Sequence, residues 1–233
     1  MTRIPIALVL ASAAGLSVAA QDWKAPPGET FTSTFAVDSG DFASTGRNPY
    51  FILEPGYMLT LEDGKTRLVV TVLAETKRVD GVETRVVEER ETEGGQLIEV
   101  SRNFFAIHTK TNSVFYFGED VDMYKDGKVT SHEGAWQSGV AGARFGLMMP
   151  GLPLLRARYY QEIAPKMAMD RAEITGMGET VMTPAGKFTD VLRTLETTPL
   201  EPLAKETKLY APGVGLIQDA ELKLVRYGTD QRK

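Results

Sequence analysis

A regular alternation of apolar and polar side chains runs through the middle of the chain, from Tyr57 to Glu133. Between Thr66 and Val79, four apolar residues share one face of an extended chain. Because successive side chains of a strand point to opposite faces, this pattern predicts half-buried antiparallel strands. The apolar face carries Leu68, Val70, Val72 and Ala74, and the opposite face carries Arg67, Thr71, Glu75 and Lys77.

Four two-residue turn signals interrupt this alternation, at Asp63-Gly64, Asp80-Gly81, Gly94-Gly95 and Asp126-Gly127. Such residues tolerate the positive φ of the tight turns that join antiparallel strands, so the segment predicts an up-and-down meander. Strand patterns continue to Tyr227, and about ten strands exceed what one flat open sheet carries. We therefore predict an all-β fold, an antiparallel meander that forms a strongly curved sheet or half-barrel with an extended N-terminal arm. A two-sheet β-sandwich is the alternative, because periodicity does not separate the two.

The first residues have the composition of an export signal. Arg3 precedes an apolar run that ends at Ala20, with small residues at the −3 and −1 positions of a cleavage site. The alternative, a transmembrane anchor, needs about 20 apolar residues, and this run is shorter. We predict a signal peptide over residues 1–20, a periplasmic or secreted location and no transmembrane segment after cleavage. The other predicted regions are an extended arm (21–54) anchored by Trp23, a single β domain (55–228) and a frayed tail (229–233).

The chain has no cysteine and a formal net charge of −5 at pH 7. Without cysteine there is no disulfide, no thiol nucleophile and no lipidation site, so burial of apolar side chains must stabilise the fold. The acidic balance argues against nucleic acid as a partner, because that binding depends on basic residues that neutralise phosphates. The partner classes that remain are a small molecule, a metal ion or a lipid.

The stretch from Asn103 to Trp136 is the predicted site region, because it holds both histidines, the densest aromatic run and a cluster of acids. Carboxylate oxygens suit hard cations, and an imidazole near them gives a mixed metal site. The spacing is not that of an EF-hand, since Tyr124 occupies the fifth position. A hairpin rim in solvent and a structural histidine–carboxylate hydrogen bond are the alternatives. The predicted ligands for a divalent metal ion are Glu119, Asp120, Asp122 and His132.

A second set of aromatic and acidic residues is predicted to contact a small ligand in the same region. The segment from Gly134 to Pro153 is predicted to be a crossover without regular strand or helix, because glycine and proline disfavour both. One helical turn is predicted between Ala164 and Asp170. The predicted ligand contacts are Tyr116, Trp136, Tyr159, Glu162 and Asp170.

Enzyme motifs such as a Gly-x-Ser-x-Gly elbow are missing from the sequence. We predict an exported, non-catalytic binding protein that holds a small polar ligand or a metal ion in the curved sheet. One alternative is a carrier of a lipid or another hydrophobic molecule in the concave face. A second alternative is an acid–base enzyme that uses Glu119 and Glu162, because burial raises a carboxyl pKa. The carrier hypothesis predicts a lining of Leu68, Val70, Val72, Phe104 and Phe115.

Several motifs together resemble a family of uncharacterised bacterial exported proteins, some of them lipoproteins. They are FYFGEDVDMYKDGKVTSHEGAW, GARFGLMMPG, YQEIAPKMAMDRAEI, TPAGKF and YAPGVGL, and they cover most of the chain from Asn48 to Asp219. The resemblance implies an extracytoplasmic β protein and no particular activity. The predicted architecture is also similar to the half-barrel carriers of lipids or lipoprotein tails in the periplasm. This chain lacks the lipobox cysteine, so the resemblance does not extend to lipid anchoring.

Overall fold

The computed structural model describes residue 28 and residues 30–229. The predicted signal peptide, Trp23 and residues 230–233 of the predicted tail lie outside the described residues. Among the residues that the structure describes, no helix has the length and apolar character needed to cross a membrane.

The described residues form eighteen strands and one short 3₁₀-helix, Ser39–Asp41. The strands are β1 (Phe42–Ala43), β2 (Gly46–Asn48), β3 (Phe51–Leu53), β4 (Tyr57–Glu62), β5 (Thr66–Val79), β6 (Val82–Glu93), β7 (Gln96–His108), β8 (Ser113–Lys125), β9 (Lys128–Ser131), β10 (Trp136–Gln137), β11 (Arg144–Met149), β12 (Arg158–Tyr160), β13 (Glu162–Ile163), β14 (Arg171–Thr183), β15 (Gly186–Thr197), β16 (Lys205–Ala211), β17 (Gly215–Asp219) and β18 (Leu222–Thr229).

Thirteen of these strands follow one another across a single antiparallel sheet, in the order β12-β14-β15-β16-β17-β18-β4-β5-β6-β7-β8-β11-β13. The two outermost strands, β12 and β13, are neighbours in the chain and are separated only by Gln161. The sheet therefore curves until its two edges meet in one bent segment, Arg158 to Ile163. We call this segment the seam. The prediction of an all-β, strongly curved antiparallel sheet is confirmed, and the sandwich alternative is wrong.

Tight turns produce the predicted meander from β5 to β9. Asp80-Gly81, Gly94-Gly95 and Asp126-Gly127 have positive φ at both residues, as type I′ hairpins require. The Asp63-Gly64 signal differs, because three residues separate β4 from β5 and only Gly64 has positive φ. There the Asp63 carboxylate accepts the backbone N–H of Lys65 at 3.0 Å and of Thr66 at 2.7 Å.

A β-bulge in β8 decides which side chains enter the interior. Asn103 pairs with Glu119 and Phe105 pairs with Tyr116, so β8 has one residue more than β7 over this interval. Gly118 makes the bulge possible, because it has a φ of +143° and a Cβ there would lie 2.4 Å from the Trp136 carbonyl oxygen. As a result Tyr116 and Glu119 both face the interior.

Two apolar clusters lie on opposite faces of the β7–β8 hairpin. The inner cluster contains Phe105 and Tyr116, together with the apolar residues of β4 and β5. The outer cluster contains Phe104 and Phe115, which the N-terminal segment covers with Phe35 and Phe42. The predicted carrier lining was therefore right to place Leu68, Val70 and Val72 together but wrong for Phe104 and Phe115, whose strand phase points them outward.

The hairpin of β2 and β3 packs against one end of the curved sheet. Asn48 is fully buried, and its side-chain amide donates to the carbonyls of Asn112 at 2.8 Å and Pro150 at 3.0 Å. The Pro49 carbonyl accepts the N–H of Gly213 at 2.7 Å. These bonds join the hairpin to three separate connections of the sheet.

Two predictions about the connections are wrong. The segment from Gly134 to Pro153 contains β10 and β11, because Gly146 allows β11 to lie against the seam. Ala164 to Asp170 contains no helical turn but a tight reversal, which a bridge between Ala164 and Ala168 closes.

Candidate functional site

A cavity of about 140 Å³ lies inside the curved sheet, between its β6–β8 side and its β15–β16 side. We call it the acidic chamber, because six carboxyl groups and a single lysine, Lys208, line it together with several neutral side chains. Three of the lining residues, Met167, Leu200 and Glu201, come from connecting loops and are partly or largely exposed, so the chamber reaches the protein surface there. The carboxyl groups belong to Glu89, Glu119, Glu162, Asp170, Glu196 and Glu201.

Most acids of the chamber lie on strands whose alternate side chains face the interior of the sheet, and each of these acids occupies an inward-facing position. Glu89 follows Val87 on β6, and Glu196 follows Leu192 and Thr194 on β15. Lys208 lies on β16 and pairs with Thr194 of β15. Curvature of the sheet then brings residues that are remote in sequence to the same cavity.

Gln161 lies in the seam, and within the described part of the chain only one of its two side-chain amide atoms has a hydrogen-bond partner of the usual kind. It is 4% exposed, and its Nε2 donates to Glu196 Oε1 at 3.0 Å and approaches Met148 Sδ at 3.5 Å. The carboxylate of Glu196 fixes the amide orientation, because a flipped amide would place two acceptors face to face. The Gln161 Oε1 atom is buried and has no hydrogen-bond partner among the described residues. A buried acceptor of this kind is costly unless something donates to it.

Glu162 and Asp170 form a close acidic pair beside the seam. The backbone N–H of Asp170 donates to Glu162 Oε1 at 2.8 Å. Burial and the nearby Asp170 carboxylate raise the pKa of Glu162 well above its ordinary value. Burial and the charge of Glu196 raise the pKa of Asp170 to about 6. The pair therefore holds protons that an exposed pair would have released.

Glu119 belongs to a hydrogen-bonded group with Tyr116 and Asn103. The Tyr116 hydroxyl donates to Asn103 Oδ1 at 2.5 Å, and the Asn103 amide donates to Ser101 Oγ at 3.2 Å. Burial, with the charges of Glu99 and Glu89, raises the pKa of Glu119 to about 8. Glu119 is thus largely protonated at pH 7, below this pKa.

Lys208 is the single cationic side chain that lines the chamber. Its Nζ lies 3.2 Å from Glu196 Oε2 and 3.8 Å from Asp219 Oδ2. Burial lowers the pKa of Lys208, but the Asp219 and Glu196 carboxylates outweigh burial and hold that pKa well above its ordinary value. Even with Lys208 charged, the carboxyl groups of the chamber outnumber the cation.

Burial raises the pKa of Glu89 to about 7 and outweighs the charge of Lys208, which lowers that pKa.

A second, apolar compartment of about 80 Å³ adjoins the chamber. Both cavities are lined by Glu89, Phe105, Met148 and Lys208. The remaining lining is mainly apolar and comes from the β2–β3 hairpin and the strands near it. We call this space the apolar compartment; its apolar lining includes Ile52, Leu59, Val70, Val72, Val87 and Val214.

The structure does not bring the four predicted metal ligands together. Glu119 faces the chamber, whereas Asp120 and Asp122 are on the opposite face of β8. His132 Nδ1 lies 2.9 Å from Asp122 Oδ1 and 2.9 Å from the Val121 carbonyl oxygen, and its side chain is 71% exposed. Asp120 instead pairs with Lys77. Within residue 28 and residues 30–229, no group of three or more His, Cys, Asp or Glu side chains has the arrangement of a metal site.

Of the predicted ligand contacts, Tyr116, Glu162 and Asp170 line the chamber, and Trp136 and Tyr159 do not. Trp136 packs edge-on against Tyr116, with ring centroids 5.3 Å apart. Tyr159 is buried in the inner apolar cluster. Four residues of the chamber were not predicted from the sequence: Glu89, Gln161, Glu196 and Lys208. Glu89, Glu196 and Lys208 occupy inward-facing positions of their strands, and that was a usable signal.

Comparison of the chain with protein-family models, with curated proteins and with solved structures found no match. The resemblance to exported bacterial proteins therefore stays a prediction, and the chemistry of the chamber is the basis for assigning a function.

Proposed function

We propose that the protein is a non-catalytic binding protein for a small organic cation of the amine class, held in the acidic chamber. The observation that carries this proposal is the Gln161 side chain, which lines a cavity where carboxyl groups outnumber the cation and whose buried acceptor, Oε1, has no partner among the described residues. An ammonium group supplies a donor for the unpartnered acceptor and a positive charge for the excess of carboxyl groups, because it is a compact charge with three hydrogen-bond donors and no acceptor. An anionic ligand would leave Gln161 Oε1 unsatisfied and would add to the excess of acids.

The size of the chamber favours a small molecule. A cavity of 150 Å³ in another protein accommodates benzene, so the volume of about 140 Å³ here corresponds to about six non-hydrogen atoms. The apolar compartment of about 80 Å³ is smaller still, so its volume argues against a carrier of long acyl chains. For a bare metal ion, the described residues offer no group of three ligands. An amine with a short substituent fits both the volume and the charge.

The acid–base enzyme remains a weaker second candidate. Glu119 and Glu162 both line the chamber, and burial raises the pKa of each, as general acids require. However, Glu119 is engaged with Tyr116, and Glu162 accepts a backbone N–H. These bonds give the two carboxyls structural partners, which favours binding over proton transfer to a substrate.

We expect n-butylamine to bind the purified protein at pH 8 with a Kd between about 10 µM and 1 mM, the range that five non-hydrogen atoms support. We expect n-butanol, which has the same size but no charge, to bind at least about ten-fold more weakly. Isothermal titration calorimetry measures both. Equal binding of the two compounds, or no binding of either, would contradict the proposal.

The matched variants are Gln161→Met and Gln137→Met. The first removes the unpartnered acceptor from the chamber at nearly constant length. The second makes the same change on β10, where the Gln137 amide donates to Asp120 Oδ1 at 3.3 Å outside the chamber. Gln161→Met should lower the affinity for n-butylamine about ten-fold, which is the usual effect of losing one hydrogen bond to a charged group. Gln137→Met should leave the affinity unchanged.

A further inference from the structure

Four residues line both the acidic chamber and the apolar compartment, so a space lined by carboxyl groups adjoins a space lined mainly by hydrocarbon. Phe105 and Met148 line both spaces and are apolar, whereas Glu89 and Lys208 line both and carry the ionisable groups. A methionine side chain at such a border adapts to different shapes, because it is unbranched and flexible. The two spaces are therefore parts of one interior surface.

Two tyrosine hydroxyls of the apolar compartment are turned toward the protein, and the carboxyl group of Asp219, which also lines it, lies beside Lys208 with its Oδ2 3.8 Å from Nζ. The Tyr57 hydroxyl donates to the Val214 carbonyl at 2.8 Å, and the Tyr50 hydroxyl donates to the Asp190 carbonyl at 3.1 Å. Val70, Val72 and Val87 present only hydrocarbon. The compartment thus suits an apolar group, whereas the chamber next to it suits a cation.

We infer that the ligand is an amphiphilic amine, with its ammonium group beside Gln161 and the carboxyl groups and a short hydrocarbon substituent in the apolar compartment. This inference rests on the proposed function and adds the shape of the ligand. Burial of each methylene in an apolar space strengthens binding about four-fold. By proportion to the cavity that holds benzene, a volume of about 80 Å³ takes about three carbon atoms.

The test is a series of unbranched primary amines from ethylamine to octylamine, titrated into the full mature protein by calorimetry. We expect the affinity to rise about four-fold per methylene over about three methylenes and then to stop rising when the compartment is full. The corresponding alkanols should bind more weakly at every length. A series of amines with equal affinities would overturn the inference and leave the proposed function intact, whereas a failure of all amines to bind would overturn both.

Two variants on neighbouring residues of β5 sharpen this test. Val70→Phe fills the apolar compartment, and Val69→Phe adds the same ring on the opposite face of the strand. Val70→Phe should abolish the dependence on chain length while ethylamine still binds, and Val69→Phe should keep that dependence. Retained length dependence in Val70→Phe would overturn the inference. If Val70→Phe does not fold, the series measured on the unaltered protein decides the question.

Discussion

Replacement of Lys208 by methionine should lower the free energy of unfolding by about 3 kcal/mol at pH 8, the lower end of the usual cost of removing one partner from a buried ion pair, because this pair is partly exposed. Lys208 lies 3.2 Å from Glu196 Oε2 and 3.8 Å from Asp219 Oδ2, and its side chain is 22% exposed. Methionine fills a similar volume but brings no charge, so the neighbouring carboxylates lose their counter-ion. Urea denaturation followed by circular dichroism measures the change.

The stability that Lys208→Met loses should depend on pH. The protonation of the neighbouring carboxyl groups determines whether the loss grows or shrinks as the pH increases. In the unaltered protein Lys208 lowers the pKa values of Asp170 and Glu206, yet burial still raises them to about 6 and about 9. Without Lys208 these pKa values rise further, so the folded state keeps protons that the unfolded state releases. Stability then falls as pH increases through that window. At pH 5 Asp170 and Glu206 are largely protonated in the folded state, and we expect a loss of only about 1 kcal/mol.

Lys65→Met is the matched control. Lys65 pairs with Glu93 on the surface, where the two side chains are 73% and 45% exposed. An exposed pair contributes little, so we expect a change of less than about 1 kcal/mol at either pH. The account of the chamber would be contradicted if Lys208→Met behaved like Lys65→Met, or if its cost were the same at pH 5 and pH 8.

Replacement of Gly146 by alanine should lower the free energy of unfolding by about 2–4 kcal/mol, because it opens the closure of the sheet. A Cβ at this position of β11 would lie 2.4 Å from the Gln161 carbonyl oxygen and 2.6 Å from that of Tyr160. These atoms belong to the backbone of the seam and cannot rotate away. The strand must therefore move, and Gln161 must move with it. Thermal and urea unfolding measure the loss of stability.

Gly40→Ala is the control for this substitution. Its Cβ would meet only the Asp38 carboxylate oxygen, at 3.4 Å, and the position does not have the positive φ that favours glycine. We expect a change within about 0.5 kcal/mol. If Gly146→Ala were as stable as the unaltered protein, β11 would not be held against the seam as described.

The sequence was sufficient for the fold class because the strand signal is local. Alternation and the Asp80-Gly81, Gly94-Gly95 and Asp126-Gly127 turns act over a few residues, and each keeps its local preference in the folded protein. A meander of neighbouring strands follows from these signals without any knowledge of remote contacts. The predicted curvature followed from the number of strands.

Closure of the sheet was not predictable in the same way. The seam is short, with three residues in β12 and two in β13, and such segments are too short to show a period. Gly146 looked like a strand breaker when only propensity was considered. In the structure, the absence of a side chain is what permits a strand at that place, because the neighbouring backbone occupies the space.

The site was partly predictable, because Glu119, Glu162 and Asp170 stood out as acids beside aromatic residues. The bulge at Gly118 could not be inferred from alternation. The one extra residue in β8 moves every later side chain of that strand to the opposite face of the sheet. Glu89 and Glu196 were not predicted, because the cavity that they line forms only when the curvature of the sheet brings β6 and β15 to face each other. When several strands each carry a charged residue at a position that faces the interior, the pattern indicates a polar cavity inside the sheet.

The most direct test of the central claim is to count the protons released when n-butylamine binds. With pKa values of about 7 and about 8, Glu89 and Glu119 hold protons at pH 7, and an ammonium group that binds beside them displaces these protons. Titration calorimetry at pH 7 in two buffers of different ionisation enthalpy should show about one proton released per amine bound, and affinity should increase from pH 5.5 to pH 8. Binding with no proton release and no dependence on pH would contradict the account.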